Sequence, residues 1–198
     1  MSRRTRRERS RVNRAVELTC HPQTTTDAVR GICVDVTRSP AARLHLTFVL
    51  AGEMAHLRVP AFRAPCIGSD LWRHTCFEAF IAADDAATYH ELNFAPSGEW
   101  ALLAFRGYRD GQPLASGVPT PAITIRTTSQ SFELDVVVTL DGLSPAYASA
   151  PLRLALATVI EETSGARSYW AAHHPPGDPD FHHPDAFVVR LEPPLGAC

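Results

Sequence analysis

The chain has 198 residues, of which 45% are hydrophobic, and this is enough for one domain with a substantial core. The net charge of −2 hides an uneven distribution, because residues 1–14 hold seven arginines and one glutamate and the remainder is acidic. No apolar run approaches the roughly 20 residues that span a bilayer, and the arginine-rich start lacks the apolar segment of a secretory signal. These features argue against a membrane partner and predict a cytoplasmic protein.

Residues 1–14 are predicted to form a disordered, solvated tail, and residues 15–198 a single domain. Arginine clusters also bind nucleic acid, but terminal charge runs are more often simply solvated. All 19 basic residues are arginine, which is more typical of a genomic bias than of a function. We therefore do not expect nucleic acid as a partner.

Motifs of familiar catalytic chemistry are absent from the sequence. Neither GxSxG, GxGxxG nor a P-loop occurs, and adjacent carboxylates such as Glu161 and Glu162 would point to opposite faces of a strand. The five cysteines form no CxxC pair and leave an odd number, so they predict neither a disulfide framework nor a zinc site. We predict that the protein is not an enzyme.

Short segments in which apolar and polar residues alternate run along the whole chain. They cover residues 32–37, 43–50, 55–59, 77–82, 89–94, 100–108, 123–126 and 132–140, and an apolar run follows at 152–160. Turn residues such as Pro96-Ser97-Gly98 separate them, and no segment keeps a helical period over three turns. About ten short strands separated by turn residues predict an all-β sandwich of jelly-roll-like or immunoglobulin-like, two-sheet architecture.

The segments between residues 71 and 109 predict an antiparallel meander with one apolar face. Its other face presents Glu78, Glu91, Asn93 and Arg106 among aromatic rings, because successive strand residues face opposite sides. That combination suits a polar, uncharged ligand with flat faces better than a phosphate or a peptide.

A second concentration of polar residues lies at 168–187, which holds four histidines and three aspartates. Imidazole and carboxylate are common metal ligands. The histidines form two adjacent pairs rather than an i, i+4 pair, and the prolines of this segment prevent a helix. An irregular loop held by its own hydrogen bonds is the simpler interpretation, and metal or haem binding by residues 173–183 is the alternative.

Three segments carry a resemblance to a known family: LWRHTCFEAFI, YHELNFAPSGEWALLAFRGYR and YWAAHHPPGDPDFHHPDAF. They resemble the signature blocks of a bacterial family of DOMON-like domains, which is similar to family 9 carbohydrate-binding modules. The resemblance covers about residues 16–193. It implies a β-sandwich of jelly-roll type that binds sugars or, in other branches, haem. In the sugar-binding modules two tryptophans sandwich a terminal sugar ring, and calcium ions brace the loops.

The resemblance assigns the two sandwiching positions to Trp72 and Trp170. A sugar ring has apolar faces and a rim of hydroxyls, so a binding site needs flat aromatic surface beside directed donors and acceptors. The predicted polar partners are Glu78, Asn93, Arg106, His173 and Asp180. Core packing of the tryptophans is the alternative. We predict a non-catalytic module that binds a small sugar or glycan and uses no cofactor other than structural calcium.

Overall fold

The computed structural model describes residues 12–114 and 118–194, and 13 β-strands form the framework of this part of the chain. The strands are β1 (Val12–Cys20), β2 (Val29–Ser39), β3 (Arg43–Gly52), β4 (Cys66–Ile67), β5 (Cys76–Ala83), β6 (Tyr89–Phe94), β7 (Glu99–Phe105), β8 (Gly111–Pro113), β9 (Ala122–Thr127), β10 (Ser131–Thr139), β11 (Leu152–Glu161), β12 (Arg167–Ala171) and β13 (Val189–Leu191). Short 3₁₀ helices lie at Met54–His56, Leu71–Arg73, Pro145–Ala148 and Pro184–Ala186. Within the described ranges, no helix has the length and hydropathy of a membrane span.

The strands form one continuous, curled path in the order β4-β7-β6-β5-β11-β12-β1-β2-β3-β10-β9, with β8 added to β7 and β13 added to β11. Strand β4 pairs with β7 in parallel, and the other pairings along the path are antiparallel. Strand β1 serves both arms of this path, because residues 12–18 pair with β2 while Thr19 and Cys20 pair with β12. The protein is therefore all-β, as the sequence predicts, with a curled mixed sheet. The finer two-sheet division stays a prediction.

The apolar core lies inside the curl. Phe77 on β5 contacts Phe48 on β3 and Phe132 on β10, with ring centroids 5.3 Å apart in both pairs. All three rings are essentially buried. Because β5 belongs to one arm of the strand path and the other two strands to the opposite arm, this cluster holds the two arms together.

Two parts of the strand prediction need correction. Segment 55–59 does not form a strand: the chain begins a 3₁₀ helix at Met54, and Leu57 makes only an isolated bridge to Glu162. Strand β1 begins at Val12, three residues inside the predicted tail, while residues 1–11 lie outside the described residues. The sequence pattern missed β1 because its alternation mixes arginine and glutamate with the apolar residues.

The turns on either side of β7 set the direction of the chain before and after this strand. The predicted turn at Pro96-Ser97-Gly98 is confirmed: Gly98 has a φ of 92°, and its N–H donates to the carbonyl of Ala95 at 3.0 Å. Beyond β7 the chain turns sharply, with Arg109 at a φ of 56°, and returns as β8. The third predicted strand therefore ends at Phe105 rather than Tyr108.

Candidate functional site

The face of β5 and β6 that points away from the core carries a group of buried polar side chains. In the register of these strands Glu78 lies opposite Asn93, and Glu91 lies opposite Phe80, so all four share this face. On the other flank, Glu78 lies opposite Ala157 of β11, which in turn lies opposite Ala171 of β12. Both alanines are buried in a hydrophobic cluster with Phe80. Beside this cluster, Glu78 and Glu91 border a depression in the face.

That depression is a cavity of about 500 Å³, which we call the main cavity. Its lining consists of Thr24, Trp72, Glu78, Glu91, Leu103, Phe105, Arg109, Val159, Tyr169, Pro179, Phe181 and His182. Trp72 is 47% exposed, and its position in the short helix Leu71–Arg73 presents it to solvent. The volume lies within the range of small-molecule sites, and aromatic walls with a few buried polar groups are their usual composition.

The polar floor of the main cavity is incompletely hydrogen-bonded. The Asn93 amide donates from Nδ2 to Glu91 Oε1 at 2.7 Å, while Glu78 Oε1 and Asn93 Oδ1 are buried and have no hydrogen-bond partner. Burial raises the pKa of Glu78 well above its usual value, and the charge of Glu91 raises it further. Burial also raises the pKa of Glu91, although the hydrogen bond from Asn93 opposes this shift.

A chain of hydrogen bonds holds His182 at the edge of the cavity. The backbone N–H of Arg109 donates to the Tyr89 hydroxyl at 3.2 Å, and this hydroxyl lies 3.0 Å from His182 Nδ1. We assign the tautomer in which the hydroxyl donates to Nδ1 and the imidazole proton is on Nε2, because Nε2 lies 3.8 Å from the carboxyl oxygen Glu91 Oε2. Burial lowers the pKa of His182 to about 4, and the positive charge of Arg109 contributes in the same direction.

We expect His182 to destabilise the protein in acid. Because its pKa falls from 6.5 to about 4 on folding, the unfolded chain takes up a proton first as the pH is lowered. The stabilising contribution is complete above pH 6.5 and decreases towards pH 4, by about 2–3 kcal/mol. Denaturant unfolding at several pH values measures this loss, which His182→Gln should remove. In the control His56→Gln, at an exposed histidine, the loss should remain; an unchanged acid loss in His182→Gln would contradict the prediction.

The rim of the main cavity is an ion-pair network. Asp180 accepts hydrogen bonds from the Tyr108 hydroxyl at 2.6 Å, from Arg109 Nη2 at 2.8 Å and from the backbone N–H of His182 at 3.1 Å. Burial tends to raise the pKa of Asp180, but the Tyr108 hydrogen bond and the Arg109 charge outweigh it and lower the pKa. Asp180 is therefore ionised, and it fixes Arg109 and the following loop over the β5–β6 face.

The structure brings only part of the predicted site together. Trp72 and Glu78 line the main cavity, and Asp180 and Asn93 bond to residues that line it. Asn93 itself lines an adjoining cavity of about 270 Å³, which shares Trp72 with the main cavity and also contains Trp100.

Three predicted residues lie away from the cavity. Trp170 is 7% exposed and packs in the main hydrophobic core, where its indole N–H donates to Ser168 Oγ at 3.0 Å. Arg106 is exposed and pairs with Asp110 at 3.1 Å, so it forms no cross-strand pair with Glu78. His173 is exposed and lines none of the cavities described here. A clamp of Trp72 against Trp170 is therefore incompatible with this geometry.

Residues that sequence reasoning left out of the site complete it: Glu91, Arg109, Tyr169, Phe181 and His182. Tyr169 takes the place of its neighbour Trp170, because adjacent residues of a strand face opposite sides. The pairing of Tyr169 with Val159, which also lines the cavity, shows that Tyr169 lies on the cavity face of β12 and Trp170 on the core face. The sequence of β12 alone does not show this.

The histidines of the loop after β12 are not gathered into one cluster. Among the described residues, no three His, Cys, Asp or Glu side chains are arranged to hold a metal ion. His174 Nε2 donates to the Thr19 carbonyl at 2.9 Å, and His183 Nδ1 accepts from the Asp185 N–H at 3.2 Å, so these imidazoles have separate structural contacts. The metal or haem alternative gains no support, and structural calcium stays an untested expectation.

Comparison with known proteins bears on the fold. No protein-family model matches the sequence, and no curated protein sequence is similar to it. A structure from Bacteroides uniformis, named as a supposed carbohydrate-binding protein, matches with a TM-score of 0.64 and 11% identity over 88% of this chain and 83% of that one. A family 9 carbohydrate-binding module from Caldicellulosiruptor kristjanssonii in complex with glucose matches with a TM-score of 0.53 and 11% identity over 89% and 83%.

The chain therefore has the fold of carbohydrate-binding proteins, including a family 9 module, as the sequence resemblance implies. At 11% identity the likeness is one of fold. The function has to be argued from the cavity itself.

Proposed function

We propose that the protein binds a small carbohydrate in the main cavity without transforming it. The observation that carries this proposal is the combination of aromatic surface, at the exposed Trp72 and the half-buried Tyr169, with buried hydrogen-bonding groups at Glu78 and Glu91 in one open cavity. Aromatic faces match the apolar faces of a sugar ring, and the carboxyl groups match its hydroxyls. The proposal includes the two-sheet sandwich of jelly-roll type that the resemblance implies.

The fold comparison supports this proposal independently. One structural neighbour contains glucose, and the other carries a carbohydrate-binding description. Glucose is therefore the first probe, followed by other neutral hexoses and short glycans. The residues that contact a sugar in this chain differ from the predicted pair of tryptophans, because Tyr169 rather than Trp170 reaches the cavity.

Replacing the aromatic walls should weaken sugar binding while leaving the fold intact. For Trp72→Ala and Tyr169→Ala we expect at least a tenfold weaker affinity each, since each change removes apolar surface that would cover the sugar ring. Isothermal titration calorimetry with glucose and related hexoses measures this.

The matched control is Phe62→Ala, which removes another exposed aromatic side chain that lines neither the main nor the adjoining cavity. Its affinity for sugar should equal that of the unmodified protein. Absence of binding by any neutral or amine-bearing sugar, or equal losses in Phe62→Ala and Trp72→Ala, would overturn the proposal.

A further inference from the structure

The charges around the main cavity do not balance. Two carboxyl side chains, Glu78 and Glu91, line it and are 2% and 4% exposed. Arg109 bonds to Asp180 at 2.8 Å, and its charge acts on Glu91, whereas His182 accepts a hydrogen bond from Tyr89 at Nδ1 and is neutral near pH 7. Among the described residues no cation pairs with Glu78, so this carboxyl group faces the cavity without a cationic partner.

Glu78 shows the imbalance most clearly. Its Oε1 has no hydrogen-bond partner, although the side chain is almost completely buried and lines the cavity. Asn93 Oδ1, on the opposite strand in register with Glu78, also lacks a partner. Buried acceptors without donors are costly and rare in folded proteins, so a donor that enters the main cavity and reaches the Glu78 carboxyl group is favoured.

The walls of the cavity favour the same kind of donor. Trp72, Phe105, Tyr169 and Phe181 surround the carboxyl groups with aromatic rings, whose faces attract cations. The Trp72 ring already attracts one cation, because the guanidinium carbon of Arg73 lies 4.9 Å from its centroid. Aromatic surface beside a carboxyl group is suited to an ammonium group.

We propose that the main cavity selects a carbohydrate that carries a protonated amine, an amino sugar, whose ammonium group is held by Glu78 and Glu91. This inference rests on the proposed function and names the class of sugar. It also revises the sequence-based expectation of an uncharged ligand, which considered the polar residues without their burial. The charge of an ammonium group stabilises the ionised form of these buried carboxyl groups, whereas a neutral sugar offers them hydrogen bonds alone and an acidic sugar adds a like charge.

The test compares matched sugars by isothermal titration calorimetry near pH 7. The probes are D-glucosamine and D-galactosamine, their N-acetyl derivatives, in which the amine is uncharged, and D-glucose and D-galactose. We expect at least one amino sugar to bind about tenfold or more tightly than its N-acetyl and hydroxyl counterparts. In Glu78→Gln, which keeps the shape of the side chain, amino, N-acetyl and neutral sugars should bind with similar affinity, so this preference should disappear.

A control variant and a folding measurement complete the test. Glu53→Gln changes an exposed glutamate outside the cavity and should keep the full preference for the amine. Thermal melting should show that Glu78→Gln folds at least as stably as the unmodified protein, because it removes a buried charge. If Glu78→Gln has a lower melting temperature than the unmodified protein, the test uses Glu91→Gln and the pH dependence of binding instead.

Binding of the ammonium group should also release protons. The groups that face Glu78 or its partner Glu91 are Cys76 on β5, Asn93 on β6, Arg109 after β7, and Asp180 and His182 in the loop after β12. Because burial raises the pKa of Glu78, this carboxyl group holds its proton more readily than an exposed glutamate, and the charge of a bound ammonium group drives the proton off. The affinity for the amino sugar should therefore increase with pH, up to the pKa of the amine. Affinity for neutral sugars should not increase in this way.

The outcomes separate this inference from the proposed function. Equal affinity for amino, N-acetyl and neutral sugars overturns the selection of an amine and leaves sugar binding in place. Tighter binding of neutral sugars than of amino sugars also overturns the selection of an amine and leaves sugar binding in place. Binding of none of the probes overturns both. A preference for the amine that survives both glutamine substitutions overturns the roles given to Glu78 and Glu91.

Discussion

Phe77→Ala is expected to lower the free energy of unfolding by about 3–5 kcal/mol, the range for truncating a fully buried phenylalanine. The ring is inaccessible to solvent and stacks on Phe132 with an interplanar angle of 11°, while Phe48 meets it edge-on. Its loss leaves a cavity where the two arms of the strand path meet. Thermal melting should show a decrease of roughly 6–20 °C, since about 1 kcal/mol shifts the melting temperature of a protein this size by about 2–4 °C.

The same substitution tests whether the core positions the cavity. Phe77 directly precedes Glu78, and the two side chains point to opposite faces of β5. A variant in which the strand shifts should therefore lose sugar affinity as well as stability. Phe62→Ala, at a 45% exposed ring, is the control and should change the unfolding free energy by less than about 1 kcal/mol. Equal effects of the two changes would show that the Phe77 contact contributes little.

Arg38→Ala should have the second large effect, a loss of about 3 kcal/mol. The Arg38 side chain is completely buried, and its guanidinium donates to the carbonyls of Ala150 at 2.8 Å and Tyr147 at 2.7 Å. Burial lowers the pKa of this guanidinium, which the charge of Glu192 partly offsets. Removing the side chain leaves a void and two carbonyls without their donor. Denaturant unfolding measures the loss.

Arg38→Lys is the matched variant. An ammonium group is compact and lacks the planar fork that serves two carbonyls at once, so we expect an intermediate loss of about 1–2 kcal/mol. Tyr147, whose hydroxyl donates to the Ile81 carbonyl at 2.8 Å, should remain in place in the lysine variant. If Arg38→Lys matched the unmodified protein, the fork geometry would be irrelevant and the charge alone would matter.

The sequence was sufficient to predict the strands whose alternation is regular. Strands β2, β3 and β10 alternate between buried and more exposed residues, because each packs one face on the core, whereas β5 and β6 were predicted although they are buried on both faces. Segment 55–59 has the same local pattern without a neighbouring strand to pair with along its length, and it leaves the sheet. An alternating sequence shows that one segment can form a strand, but a strand in a sheet also needs a neighbouring segment with which it forms hydrogen bonds.

In the candidate site, too, the residues placed by neighbouring strands were predicted, and those placed by contacts between distant parts of the sequence were not. Glu78 and Asn93 were predicted because β5 and β6 are consecutive in sequence and form a simple hairpin. Tyr169 and His182 were missed because their places depend on β12 pairing with β11 and on the loop that follows β12. Arg109 was missed because a turn with positive φ, rather than continued strand, directs the chain after Phe105.

Strand β1 has a consequence for how the protein is made. Its last residues pair with β12, and the Thr19 hydroxyl donates to the Ala171 carbonyl, 152 positions later in the chain. As the ribosome releases the polypeptide, the hairpin partner of β1 emerges soon after β1 itself, but Ala171 follows Thr19 only 152 positions later. Contacts of such wide sequence separation form slowly. The end of β1 must therefore stay available for pairing until β12 has been synthesised.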